Sequence, residues 1–119
     1  MAKTLVIGAS MKPERYSNMA MERLKQHGHT VLAIGVREGV AHGILIQNEK
    51  PPIENLHTVT LYINPTLQKN YYDYILSLKP KRLIFNPGTE NLELEKLAGD
   101  AGIEIQNACT LVLLTTGQF

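Results

Sequence analysis

A three-layer α/β/α domain on a mostly parallel sheet of five or six strands is predicted by three features of this chain. Short apolar runs alternate with stretches of helical period, most of the runs are continuous, and the first ends in a glycine that opens onto a helical segment. The runs are Leu5-Val6-Ile7, Val31-Leu32-Ala33-Ile34, Val59-Thr60-Leu61-Tyr62-Ile63, Leu83-Ile84-Phe85 and Ile103-Glu104-Ile105. Four of these five are continuous, as strands covered on both faces are. Ile103-Glu104-Ile105 alternates and is placed at an edge.

The elements between the strands follow in order. Tyr16 to His27 reads as a helix whose inward side is Met19, Ala20 and Leu24, closed by Gly28. The segment from Arg37 to Leu56 carries Gly39, Gly43, Pro51 and Pro52, which leaves room for a short edge strand at Ile44-Leu45-Ile46 but not for a full helix. Leu67, Tyr71, Tyr74, Ile75 and Leu78 recur at helical spacing until Pro80 stops the pattern. Of Tyr71, Tyr72 and Tyr74, two are expected to face the core and one the solvent. Glu90 to Asp100 repeats the scheme, with Leu94, Leu97, Ala98 and Ala101 facing inward and Gly102 ending it.

Composition narrows the function classes. With 119 residues and 44% hydrophobic content, residues 1–119 are expected to form a single domain. Twelve basic and 11 acidic residues leave a net charge of +1, so no broad field attracts nucleic acid or an anionic membrane. The longest apolar stretch, Leu111 to Leu114, is far short of the roughly 20 residues that span a bilayer. Met1-Ala2-Lys3 leads into the first strand without a signal-peptide core, and the one cysteine, Cys109, has no internal disulfide partner; the expected location is the cytoplasm. Cys109 is expected to be a small buried residue. His27, His29, His42 and His57 lack metal-ligand spacing, and no metal is assigned.

In an open sheet of this type ligands sit over the carboxyl ends of the strands, where strand order reverses. The first strand ends in Gly8-Ala9-Ser10, the second in Gly35-Val36-Arg37, the third in Asn64-Pro65, the fourth in Asn86-Pro87-Gly88-Thr89-Glu90-Asn91 and the fifth in Asn107-Ala108-Cys109. At the first junction the unpaired N–H groups of the following helix and its positive dipole end favour an anion. Gly8 lets backbone approach a ligand, Ser10 offers a hydroxyl, and Lys12 and Arg15 add charge. After the second strand a domain preferring NAD places an acidic residue, whereas a phosphorylated ribose calls for Arg. This chain has Arg37, and no glycine follows Gly8 in its loop. Both features point to a pyrophosphate with a phosphorylated ribose. An exposed Arg37–Glu38 ion pair and a merely solvated Arg15 are the competing readings.

Val6-Ile7-Gly8-Ala9-Ser10 with Lys12-Pro13-Glu14-Arg15-Tyr16-Ser17, the Asn86-to-Asn91 loop and Ala108-Cys109-Thr110-Leu111-Val112 together give a chain that resembles the small stand-alone CoA-binding proteins. Their fold matches the CoA-binding domain of succinyl-CoA synthetase. The resemblance implies a Rossmann-like domain. It also implies a phosphate region lined by Gly8, Ala9, Ser10, Arg15, Tyr16 and Ser17, a nucleotide end at Gly35, Val36 and Arg37, and an opposing wall at Asn64 and Pro65. Asn86 and Gly88 of the fourth strand-end loop complete the candidate cofactor-binding set. Members of that family usually carry Asn-Pro after the second strand, where this chain has Gly35-Val36-Arg37.

No nucleophile, base and positioning group form a catalytic constellation in the sequence, and no catalytic residue is assigned. The expected function is non-enzymatic binding of coenzyme A or acyl-CoA. The alternative is an NADP-binding oxidoreductase or redox sensor that uses Arg37. A further one is a protein-interaction module with a vestigial nucleotide pocket. Burying Leu111 to Leu114 contributes on the order of 6–12 kcal/mol before entropy, so the tail is expected to pack on this domain, on a homodimer twin or on a partner.

Overall fold

The computed structural model describes residues 2–119. Its sheet has seven strands: β1 (Thr4–Ile7), β2 (Val31–Ile34), β3 (Gly39–Ala41), β4 (Ile44–Gln47), β5 (Thr58–Leu61), β6 (Arg82–Phe85) and β7 (Glu104–Asn107), in the order β3-β4-β2-β1-β5-β6-β7. All neighbours are parallel except β3 and β4. Five or six strands were expected; the seventh is β3, paired to β4 through a tight turn at His42–Gly43, where both residues have positive φ.

Alternate residues of each strand feed two cores. On one face Leu5, Ile7, Val59, Leu61, Leu83 and Phe85 pack under α3 (Tyr72–Leu78) and α4 (Leu92–Asp100). On the other, Val6, Ala33 and Ile46 meet Met21 and Leu24 of α1 (Tyr16–Gln26) and Leu114 of α5 (Thr110–Thr115). β1, β5 and β6 are buried along their whole length, as continuous apolar runs require, and β7 is an exposed edge.

The helices depart from the expected pattern in detail. In α1 the core methionine is Met21, while Met19 is half-buried, because Met21 lies one turn before Leu24 on the stripe that meets the sheet. The run from Leu67 to Leu78 is interrupted: α2 (Pro65–Gln68) passes through a 3₁₀ turn at Lys69–Tyr71 into α3, and only Ile75 of α3 is fully buried. Tyr71, Tyr72 and Tyr74 are all half-buried against the first core; none is fully in or out. The Tyr74 hydroxyl donates to the Pro51 carbonyl, and the Tyr72 hydroxyl donates to Glu93. In α4, Leu94 and Ala98 face inward, but Leu97 and Ala101 are exposed. The tail folds onto its own domain as α5 beside α1, with Leu113 and Leu114 buried, Leu111 half-buried and Val112 exposed.

Beneath α5 the sheet face turns polar. Asn86, at the end of β6, donates from Nδ2 to Thr60 Oγ1 (2.7 Å) and to the Leu61 carbonyl (2.9 Å), and its Oδ1 accepts from the Thr110 N–H (2.9 Å). The Thr60 and Thr110 hydroxyls are 2.8 Å apart. At the other, amino-terminal end of β6, buried Arg82 donates to Thr58 Oγ1, Gln106 Oε1 and the Phe119 carbonyl and stacks on the Phe119 ring at 4.3 Å. Burial, reinforced by Arg82 and Lys81, holds His57 below the ordinary histidine value.

Two outcomes follow. Asn86→Leu orphans the buried Thr110 N–H and costs about 1–3 kcal/mol, read as a melting point lower by on the order of 10 °C. His57 resists in the fold a proton that it takes near 6.5 when unfolded, so below that pH the unfolded chain binds more protons. Stability is full above this range and falls as pH drops through it. The denaturation midpoint is thus lower at pH 5 than at pH 7.5, and the gap narrows in His57→Gln; an equal gap in both proteins removes His57 from the explanation.

Candidate functional site

The chain leaves β1 at Gly8 with φ of 96°, a conformation that side chains disfavour, and a β carbon there would lie 2.8 Å from Ile63 Cγ2. The N–H groups of Gly8 and Ala9 both donate to the Ile34 carbonyl at 2.9 Å, which holds the loop against the end of β2. A β carbon on Gly35 would lie 2.3 Å from the Ala9 carbonyl oxygen, so the close approach needs glycine from both strands. Gly8 and Gly35 therefore act through packing. Asn18 Nδ2 donates to the Ser10 carbonyl (2.9 Å), and its Oδ1 is 2.7 Å from His42 Nε2 at the β3–β4 turn. Met11 lies against Gly39, where a β carbon would be 2.0 Å from its Sδ. The unforeseen β3 hairpin thus braces the loop.

α1 begins at Tyr16 with no side-chain cap and no acidic residue in its first turn; its first backbone bond runs from the Met19 N–H to the Arg15 carbonyl. The N–H groups of Tyr16, Ser17 and Asn18 precede that bond. By contrast, Asn64 caps α2 and Asn91 caps α4. The Ser10 hydroxyl accepts from the Lys12 N–H (3.1 Å) and shapes the turn ahead of the helix.

This N-terminus opens on a cavity of about 440 Å³ over the ends of β1, β2 and β5. It lies at β1, where strand order reverses, the position expected for a ligand in an open parallel sheet. Of the candidate residues, Gly8, Ala9, Ser10, Arg15, Tyr16, Ser17, Val36 and Arg37 line it. Met11, Lys12, Tyr62 and Ile63 also line it; the last two fall here because β5 stops at Leu61. Lys12, Arg15 and Arg37 are exposed cations on its rim. Among the described residues the ion-pair contacts are His42–Glu22 and Lys96–Asp100, so Arg37 is not paired with Glu38.

The other candidates lie outside this cavity. Gly35 is buried beneath the loop, Asn64 spends its side chain on the Leu67 N–H (3.0 Å), Pro65 opens α2, and Gly88 lies in the exposed turn after β6. Asn86 lines a second cavity of about 240 Å³ with Tyr16, Tyr62, Pro87, Cys109 and Leu111. Cys109 is half-buried in that wall rather than buried. The Tyr62 hydroxyl is buried beside Thr60 and Thr110 without a well-formed hydrogen bond, and burial pushes its phenol up to about 12.

Comparison with known proteins agrees with the fold. A crystal structure of an uncharacterized protein is 55% identical, with a TM-score of 0.98, over 100% of this chain and 98% of that one. A hypothetical protein from Pyrococcus horikoshii OT3 is 28% identical, with a TM-score of 0.84, over 92% of this chain and 79% of that one. A Thermus thermophilus structure at 23% identity and a TM-score of 0.80, covering 99% of this chain and 91% of that one, shares the fold. No curated protein matches. Among the described residues no helix is long and apolar enough to cross a membrane. The model of the CoA binding domain matches residues 2–115, and the chain belongs to that family.

Proposed function

We propose that this protein binds coenzyme A, or an acyl-CoA, without transforming it. The pyrophosphate rests on the loop after β1 and the first turn of α1, and the 3′-phosphorylated ribose reaches toward Arg37. One observation carries this reading: an uncapped helix N-terminus and the unpaired cations Lys12, Arg15 and Arg37 converge on a single cavity at the strand-order switch. Cations beside the positive end of a helix repel it, and an anion between them reverses the sign of that interaction. Family membership supports coenzyme A over NADP as the source of the anion.

The geometry also selects the variants. Gly8→Val would drive a side chain into Tyr62 and Ile63 just after β5, so its loss of binding would report folding as much as contact. Arg15 and Arg37 are exposed and free to change. In calorimetry coenzyme A binds more tightly than dephospho-CoA, and NADP and NAD bind weakly. Arg37→Glu removes most of the difference between the first two, because a charge-assisted phosphate contact is worth about 1.5–3 kcal/mol, or about 10- to 150-fold in affinity. Arg15→Ala weakens coenzyme A and dephospho-CoA alike, since both carry the pyrophosphate. At 100 times its dissociation constant the ligand adds about 2.7 kcal/mol of stability, a melting shift on the order of 10 °C. A shift with NADP and none with coenzyme A would replace this reading with the oxidoreductase one.

A further inference from the structure

The second cavity, between the ends of β5, β6 and β7, adjoins the phosphate cleft: Tyr16 and Tyr62 line both. We infer that this cavity receives the sulfur end of the ligand whose phosphates occupy the first, and that it admits a free thiol or a short acyl thioester but not a long chain. The inference rests on the coenzyme A reading and adds to it where the reactive end lies and what size it has.

Three observations carry it. The first is the separation of charge. Lys12, Arg15 and Arg37 all line the cleft, whereas among the described residues no charged side chain lines the second cavity. Its one amide, Asn86, is tied to Thr60, Leu61 and Thr110, which leaves two aromatic rings, Pro87, Leu111 and the Cys109 thiol as its wall. A ligand anionic at one end and uncharged at the other fits this pair of compartments in one orientation only. The second is size. At about 240 Å³ the cavity holds about eight water-sized groups at roughly 30 Å³ each, enough for a thiol and a few acyl carbons but not for a sixteen-carbon chain. The third is rigidity. The Asn86 bonds and the Thr60–Thr110 contact fix the floor, so the cavity does not deepen without breaking buried hydrogen bonds.

Cys109 makes the inference testable on the unmodified protein. Saturating coenzyme A slows alkylation of Cys109 by iodoacetamide at least tenfold, whereas saturating 3′-phosphoadenosine 5′-diphosphate, which fills only the phosphate cleft, does not. With the symmetrical disulfide of coenzyme A, the Cys109 thiolate attacks one sulfur and a protein–ligand disulfide forms. The other coenzyme A leaves as its thiolate, and intact mass rises by one coenzyme A less two hydrogens. Cys109→Ser shows no such adduct. Acetyl-CoA binds within about threefold of coenzyme A, and a sixteen-carbon thioester at least tenfold more weakly. Leu111→Trp lowers affinity for coenzyme A tenfold or more and spares the diphosphate fragment; if that variant does not fold, protection of Cys109 in the native protein decides. Tight coenzyme A binding with undiminished alkylation overturns this inference and leaves the proposed function standing, and equal affinity for the sixteen-carbon thioester overturns the size limit. Failure of both coenzyme A and the diphosphate fragment to bind overturns the two together.

Discussion

Between the ends of β2 and β5 the loop after β1 has no room for a side chain at Gly8. A β carbon on Gly8 would meet Ile63 at 2.8 Å, and one on Gly35 would meet the Ala9 carbonyl oxygen at 2.3 Å. Because both positions are glycine, the N–H groups of Gly8 and Ala9 reach the Ile34 carbonyl and the loop lies flat over the strand ends. That constraint sets where α1 starts. It leaves the helix N-terminus over the β1–β5 boundary, and the cleft, the cations and the second cavity are arranged around it. A longer excursion of the loop, which any larger residue would impose, would lift the first-turn N–H groups away from the sheet.

The two longest helices, α1 and α4, show what the sequence does when a helix start is structural and when it is not. α4 has a capping asparagine, Asn91, and Glu93 and Glu95 in its first turn, the arrangement that satisfies backbone donors and complements the dipole. Asn91 also donates to Gln68 Oε1, and Gln68 in turn donates to the carbonyls of Ile63 and Thr89, so this cap is woven into the core. α1 has neither device and is preceded by Lys12 and Arg15. Each such cation costs about 0.3–1 kcal/mol at a helix N-terminus without an anion. The cost is small beside the stability of a domain, yet its sign is opposite to that of the other helix.

The sheet was legible because strands buried on both faces need uninterrupted apolar runs, and Leu5-Val6-Ile7 and Leu83-Ile84-Phe85 have no other use. β3 was not, since Gly39-Val40-Ala41 is too short and too weak in strand propensity to stand out; it forms because the His42–Gly43 turn folds it back on β4. At the site, the cluster around Gly8, Ser10 and Arg15 is local in sequence and could be read directly. Asn64 and Asn86 looked the same as ligand contacts in sequence, but an asparagine at a strand end serves equally well as a cap or a clamp, and only the fold shows which donors and acceptors lie within reach. Tyr62 and Ile63 were hidden for the reverse reason. They continue an apolar run, so they read as strand, although pairing stops at Leu61 and releases them to the cleft.

α5 joins the two ends of the molecule. Its first residue, Thr110, is held by Asn86 and Thr60 under the second cavity, and the segment after it returns to place Phe119 over the Arg82 guanidinium at the amino-terminal edge of the strands. Arg82 is buried without a carboxylate partner in either ion-pair contact, and its Nη2 has no acceptor. A charge removed from water in this way is costly, and what offsets the cost is the three acceptors and the aromatic face held at that edge. Two of those contacts belong to Phe119, which is positioned by backbone bonds from Gln118 and Phe119 to the Leu113 carbonyl of α5. The helix that walls the second cavity is therefore also the support on which the buried arginine depends, and loosening the Asn86 clamp weakens both ends together.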